Sequence, residues 1–271
     1  MVPLDLRPLF APERAALREV LTDLTPAEWA RPTVCPGWDV HDVVAHVLHD
    51  HVRRISGTRD GYGGAVFEND ETLSTFLARA NGEFVQAQRA ASPRMLIDLL
   101  AFLGPQLDDV WAGMDLSAPA PLDVSWAQVD SMPSPVWLDI AREFTEFWVH
   151  QQQVRDAVGR PGGDSPELLG AVVATFAMAL PVALHGVDRP VGTVVSLVVP
   201  RFGQWRVVRG LDRWEFASAP GEAAATVVLG ADDLWRLGSR GITPSEARSR
   251  ASITGDPELG VAVTSLLAVI A

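Results

Sequence analysis

The sequence contains no lysine; all 22 basic residues are arginine. That excludes any mechanism built on a lysine amine or Schiff base. It contains one cysteine, Cys35, which excludes an internal disulfide and any cysteine-rich zinc motif. Positive charge is scarce: 34 acidic residues against 22 basic ones leave a formal charge of -12. Such a chain is a poor nonspecific partner for nucleic acid or an anionic membrane surface. Uninterrupted apolar runs of membrane-spanning length are also missing. The nearest, "LLGAVVATFAMALPVALHG", contains Pro181 and reads as a buried helix. The opening "MVPLDLRPLFAPERAAL" carries charges where a signal peptide is apolar. The expectation is a cytoplasmic protein in a reducing compartment, with no nucleic-acid partner and no membrane.

What is present is enough apolar sequence for a sizeable core, 48% of 271 residues. The first part reads as helices. In "TPAEW", Thr25, Pro26 and Glu28 occupy the N-cap, N1 and N3 positions of a capping box. Asp39 caps the next helix, where Val40, Val43, Val44, Val47 and Leu48 form an apolar stripe. "NDETLSTFLARANGEFVQAQRAA" and "SPRMLIDLLAFLGPQLDDVWAGM" give two more helices, the second expected to kink or break at Pro105. After a Pro-rich loop near 117–135, a long helix spans about 136–158, ended by Gly159 and Pro161. Four long helices joined by loops suggest a bundle. Beyond "GRPGGDSPE" one helix, to about His185, precedes short β-branched or aromatic runs separated by Gly, Pro and Asp. The fold class is therefore α+β in two domains. Residues 1–162 form a helical bundle, and 163–271 a small domain with a mostly antiparallel sheet.

Four of the six histidines, 41, 46, 49 and 51, crowd one helix. His46 lies in its apolar stripe and faces inward, with His49 close to the same face; His41 and His51 lie further round, on the solvated side. In "EFTEFWVHQQQVRDAVGRP", Glu146 and His150 stack one turn apart, with Glu143 a turn earlier. Facing helices of bundles commonly supply metal ligands, and two imidazoles with one carboxylate form a catalytic zinc set. An i, i+4 Glu–His pair is nevertheless common on solvated helices, and a histidine in an apolar stripe is commonly a hydrogen-bonded core residue. Spacing alone favours those plainer readings.

Longer motifs change the balance. "TPAEWARPTVCPGWDVHDVVAHVLHD", the later "E-x-x-x-H-x-x-x-x-R-x-A-x-G-R-P" and the C-terminal "LGADDLWRLGSRG…ITGDPEL" resemble the mycothiol-dependent maleylpyruvate isomerase family. The resemblance covers nearly the whole chain. It implies a DinB-like metal-binding four-helix bundle followed by a sterol-carrier-like α+β domain. It carries the zinc ligands onto His46, Glu146 and His150, and leaves Glu143 as a candidate fourth or supporting carboxylate. It implies Zn2+ or another divalent metal as cofactor and mycothiol as thiol cosubstrate. Coordination would deprotonate the thiol for addition to an electrophilic small molecule. Release after rotation about the new single bond is cis–trans isomerisation; retention of the adduct is thiol transfer.

One departure from the family pattern stands out. The position three after the second histidine ligand is often Asp, and here it is Gln153, a neutral amide not expected to replace an orienting carboxylate. Cys35 reads first as a small buried apolar residue. Arg240 best matches the family's G-x-R region and is the candidate catalytic clamp for a substrate carboxylate. Two rival classes stay open: a metal-dependent enzyme that does not use mycothiol, and a non-catalytic small-molecule binding protein. Oligomeric state, native metal and substrate are also left open by the sequence.

Overall fold

In a computed structural model, residues 4–121, 124–127, 133–217 and 221–268 are described. They include eleven α-helices and five strands in the order α1 (Phe10–Thr22), α2 (Pro26–Trp29), α3 (Val40–Arg54), α4 (Leu73–Gln88), α5 (Pro93–Ala112), α6 (Val136–Val158), α7 (Pro166–Phe176), α8 (Leu180–Ala183), β1 (Val194–Val199), β2 (Gly203–Arg209), β3 (Trp214–Phe216), β4 (Ala225–Val228), α9 (Ala231–Gly238), α10 (Pro244–Arg250), β5 (Ser252–Gly255) and α11 (Pro257–Val263). Two compact units emerge. One is built from Asp5–Asp115 and Glu146–Leu168; the other from Leu116–Thr145 and the chain from Leu169 onward. The chain of α6 therefore passes through both.

The first unit is helical. Its starts follow the expected capping chemistry. Thr25 and Glu28 form a reciprocal capping box at α2, and Asp39 and Asp42 form one at α3. Each box satisfies amide donors that a helix start would otherwise leave open. All five stripe residues of α3 are buried, Val40, Val43 and Val44 completely. Ser92 caps α5, and the helix runs through Pro105 to Ala112 instead of breaking there. Leu96, Leu100, Leu107 and Trp111 are buried on both sides of the proline. Packing on one continuous face outweighs the loss of a single amide donor. Gly159, at φ +69°, terminates α6 as its sequence position predicted.

The second unit holds a five-stranded sheet in the order β3-β2-β1-β4-β5. The β1–β4 pair is parallel and the other three are antiparallel. Central β1 is buried along almost its whole length, and Val195 lies between Val207 and Ala225. β5, "SITG", had no strand signal: it is four residues long, ends in glycine and is largely exposed. The single helix expected up to His185 is divided. A 3₁₀ turn at Ala177–Ala179 separates α7 from α8, where Pro181 removes an amide donor. The segment Pro166–Ala183 has the length and composition to cross a bilayer, but 61% of it is buried inside the protein. The C-terminal helix is also shorter than its pattern implied and stops at Val263. Parts of the Pro-rich loop, residues 122, 123 and 128–132, lie outside the described residues.

Candidate metal centre

The capping box at Asp39 sets the phase of α3, which turns His46 into the interior with Val43 and Val47. On α6, Glu146 and His150 share a face one turn apart and meet it. His46 Nε2 donates to Glu146 Oε1 at 3.3 Å, and His150 Nε2 donates to the same oxygen at 3.2 Å. The imidazoles stand edge to face, with ring centres 4.7 Å apart. One ligand atom from each of His46, Glu146 and His150 lies within 4.8 Å of the others, the one such grouping among the described residues. All three belong to the helical unit.

The separations suit a small divalent cation. With bonds of about 2.0–2.1 Å, two ligands of a tetrahedral centre stand roughly 3.3–3.4 Å apart. Both nitrogen-to-oxygen edges are close to that. The electrostatics fit as well. Glu146 is held well below the ordinary carboxylate range: burial pushes its pKa up, but hydrogen bonds from His150 and His46 outweigh it. Burial pushes the His150 pKa down, yet Cys35 and Glu146 together raise it well above its usual value. An anionic oxygen between two imidazoles is a ready donor set for a cation that displaces the ring protons.

Around these three residues the structure departs from several expectations. Gln153, one turn after His150, accepts the His150 Nδ1–H on its amide oxygen at 2.7 Å. The neutral amide thus takes the orienting position that seemed to need a carboxylate, because what the imidazole requires there is an acceptor. With Nδ1 so engaged, Nε2 is turned toward Glu146 Oε1. Cys35 is half-buried, and its thiol donates to the same Gln153 oxygen at 3.2 Å. It therefore belongs to the polar network of the site rather than to an apolar core. Its turn is tied by Cys35 N–H to Thr33 Oγ1 and Trp38 N–H to Cys35 O, both 3.1 Å. Gly37, at φ +79°, takes a backbone conformation that a side chain resists. The turn sets the Trp38 ring 5.2 Å from that of His46.

Other candidates part from the cluster. Glu143 is fully buried and accepts from Arg142 Nη2 at 2.9 Å; it is not a member of the metal grouping. His51, expected on the solvated side, is buried at 3% exposure and stacked on Phe147 at 4.7 Å. His49 Nδ1 pairs with Asn81 Oδ1 at 2.9 Å, and burial lowers its pKa. His41 Nε2 donates to the Ala91 carbonyl at 2.9 Å. Arg240 is exposed, at φ +63° in the turn after α9, within the sheet-bearing unit.

Sequence reading passed over Asp50. It is 3% exposed and sits one helical turn beyond His46, with Oδ2 3.7 Å from His46 Nε2. Its other oxygen accepts from Arg53 Nη2 at 2.9 Å. Burial pushes the Asp50 pKa up, but His46 and Arg53 hold it below the ordinary value. The available signal was the i, i+4 spacing from His46, obscured by the three other histidines of the helix.

Comparison with known proteins bears on the family and the fold. The family model described as "Mycothiol maleylpyruvate isomerase N-terminal domain" matches residues 10–155, more than half of the chain. No curated protein gives a significant match. Among solved structures, the mycothiol-dependent maleylpyruvate isomerase superposes with a TM-score of 0.54 at 17% identity, covering 88% of this chain and 91% of that one. A histidine-to-alanine mutant of the same enzyme gives 0.53 at 16% identity with the same coverage. At these identities the likeness concerns the fold, which is α+β in both. A protein described as "UbiJ-SCP2 Ubiquinone synthesis protein" matches 35% of this chain and 91% of its own at 21% identity, with a TM-score of 0.26, too low to support an argument.

Proposed function

The chain belongs to the mycothiol maleylpyruvate isomerase family, and from that premise we propose a cytoplasmic, zinc-dependent enzyme that uses mycothiol to act on an electrophilic small molecule. The reaction is cis–trans isomerisation or transfer of the thiol. The observation that carries the reading is the convergence of His46 Nε2 and His150 Nε2 on one Glu146 oxygen at tetrahedral-edge distances.

His46, Glu146 and His150 would hold the cation, and a dication held by two imidazoles and one carboxylate supplies the means to convert a thiol to its thiolate near neutral pH. The protein's own groups do the positioning. Gln153 holds the proton on His150 Nδ1, so that the Nε2 lone pair is the one offered to the centre. Trp38 borders the His46 ring, and the Cys35 thiol is engaged by Gln153. The side chain of Glu146 is 32% exposed and that of His150 11%, so the centre is not sealed from solvent. Arg240 remains the proposed clamp for a carboxylate-bearing substrate; an exposed guanidinium has the charge and the two-pronged donor geometry for it.

The test is metal content by mass spectrometry, wild type beside His150→Ala. About one zinc per chain in the wild type, lost in the variant, is expected. A set of electrophiles is then assayed with and without mycothiol. Metal without thiol-dependent turnover would favour an enzyme that does not use mycothiol. No metal in either protein, even after zinc is supplied, would favour a small-molecule binding protein.

A further inference from the structure

Asp50 presents an observation that the three-residue centre does not absorb. It lies on α3 one turn after His46, and 3% of its surface is exposed. Arg53 Nη2 holds Oδ1 at 2.9 Å. Oδ2 has no hydrogen-bond partner and is shut off from solvent. That oxygen is 3.7 Å from His46 Nε2, the same nitrogen that faces Glu146 Oε1. A buried carboxylate oxygen without a donor is costly unless a positive charge faces it. The Arg53 contact turns the carboxylate so that its free oxygen looks toward the ligand nitrogen rather than away from it.

Resting on the metal-centre reading above, we propose that Asp50 is a fourth protein group of that centre, a second carboxylate whose free oxygen faces the cation beside His46. Asp50 lies outside the tight grouping of His46, Glu146 and His150. Its part is therefore to add charge to the three ligands and hold their arrangement, not to replace one of them. Two carboxylates match the charge of a divalent cation, whereas Glu146 alone leaves it half balanced. A dication gains from this in a water-poor interior, where charge pairs are weakly screened.

The experiment is a zinc titration of the full chain against a chromophoric chelator, comparing wild type with Asp50→Asn. Asparagine keeps the shape and can still accept from Arg53, but loses the charge. Affinity is expected to fall at least about tenfold, the scale on which groups supporting a metal's ligands act. Should the asparagine variant not fold, as judged by far-ultraviolet circular dichroism, Asp50→Ser removes the charge with a smaller side chain and is read in the same way. A carboxylate that only balances a protonated His46 would compete with the cation, so its removal would leave affinity unchanged or tighter. Either result overturns the proposal while the His46–Glu146–His150 reading stands. A wild type that binds no zinc overturns both.

Discussion

Replacing Gln153 with leucine tests how the centre is oriented. Leucine nearly conserves volume and removes the one oxygen that accepts from both His150 Nδ1 at 2.7 Å and Cys35 Sγ at 3.2 Å. Gln153 is itself only 9% exposed, so water does not readily supply a substitute acceptor. A buried donor left unsatisfied costs about 1–3 kcal/mol. The His150 ring is then free to turn or to shift its proton to Nε2, the nitrogen that must be bare to bind a cation. Groups in this supporting position commonly contribute roughly 10–100-fold to metal affinity, which corresponds to about 1.4–2.7 kcal/mol. Gln153→Leu should therefore weaken zinc by that factor in a chelator-competition titration, with the helical circular-dichroism signal retained. Gln153→Glu, which restores a stronger acceptor, should bind at least as tightly as wild type. Equal zinc affinity in Gln153→Leu and wild type would refute the orienting role and return Gln153 to an ordinary packed amide.

Two further outcomes follow from other parts of the chain. Glu13 is fully buried, accepts from Gln151 Nε2 at 2.8 Å, and has its pKa pushed by burial to about 7. The folded state thus holds a proton that the unfolded chain has released above its ordinary value near 4.5. This stability is present below that value and is lost as pH rises from there through about 7, a drop of roughly 3 kcal/mol. Urea unfolding at acidic and alkaline pH should show that slope in the wild type and a flatter one in Glu13→Gln; parallel profiles would remove the assignment. Arg240→Ala should raise KM for a carboxylate-bearing substrate while leaving zinc content unchanged; unaltered KM and kcat would exclude the clamp.

Much of the helical unit was legible because its signals are local. Capping boxes at Thr25 and Asp39, the Ser92-Pro93 start of α5 and the glycine end of α6 each depend on a few consecutive residues. The inward phase of His46 and the shared face of Glu146 and His150 followed from helical period in the same way. What the sequence left open or misread fell where packing beyond the local pattern decided. Pro105 sits inside α5 because packing continues past it, and His51 is buried because Phe147, far away in the chain, covers its ring. β5 exists only because β4 offers it a pairing edge, with Val227 opposite Ile253.

The sequence by itself determined most of the helix starts, the α+β class and the residue types of the His46, Glu146 and His150 cluster. Those depend on periodicity and on chemistry within one or two turns of chain. Tertiary structure alone decided that His46 Nε2 and His150 Nε2 share one oxygen of Glu146, that an amide rather than a carboxylate orients His150, and that Cys35 and Asp50 flank the centre. The contacts of His46 with Glu146 and of Cys35 with Gln153 join residues a hundred or more positions apart in the chain. No local pattern encodes those two, because the packing of α3 and of the Cys35 turn against α6 sets them only once the chain has folded; Gln153 and Asp50 stand at local helical spacings, and the fold decides only what they meet.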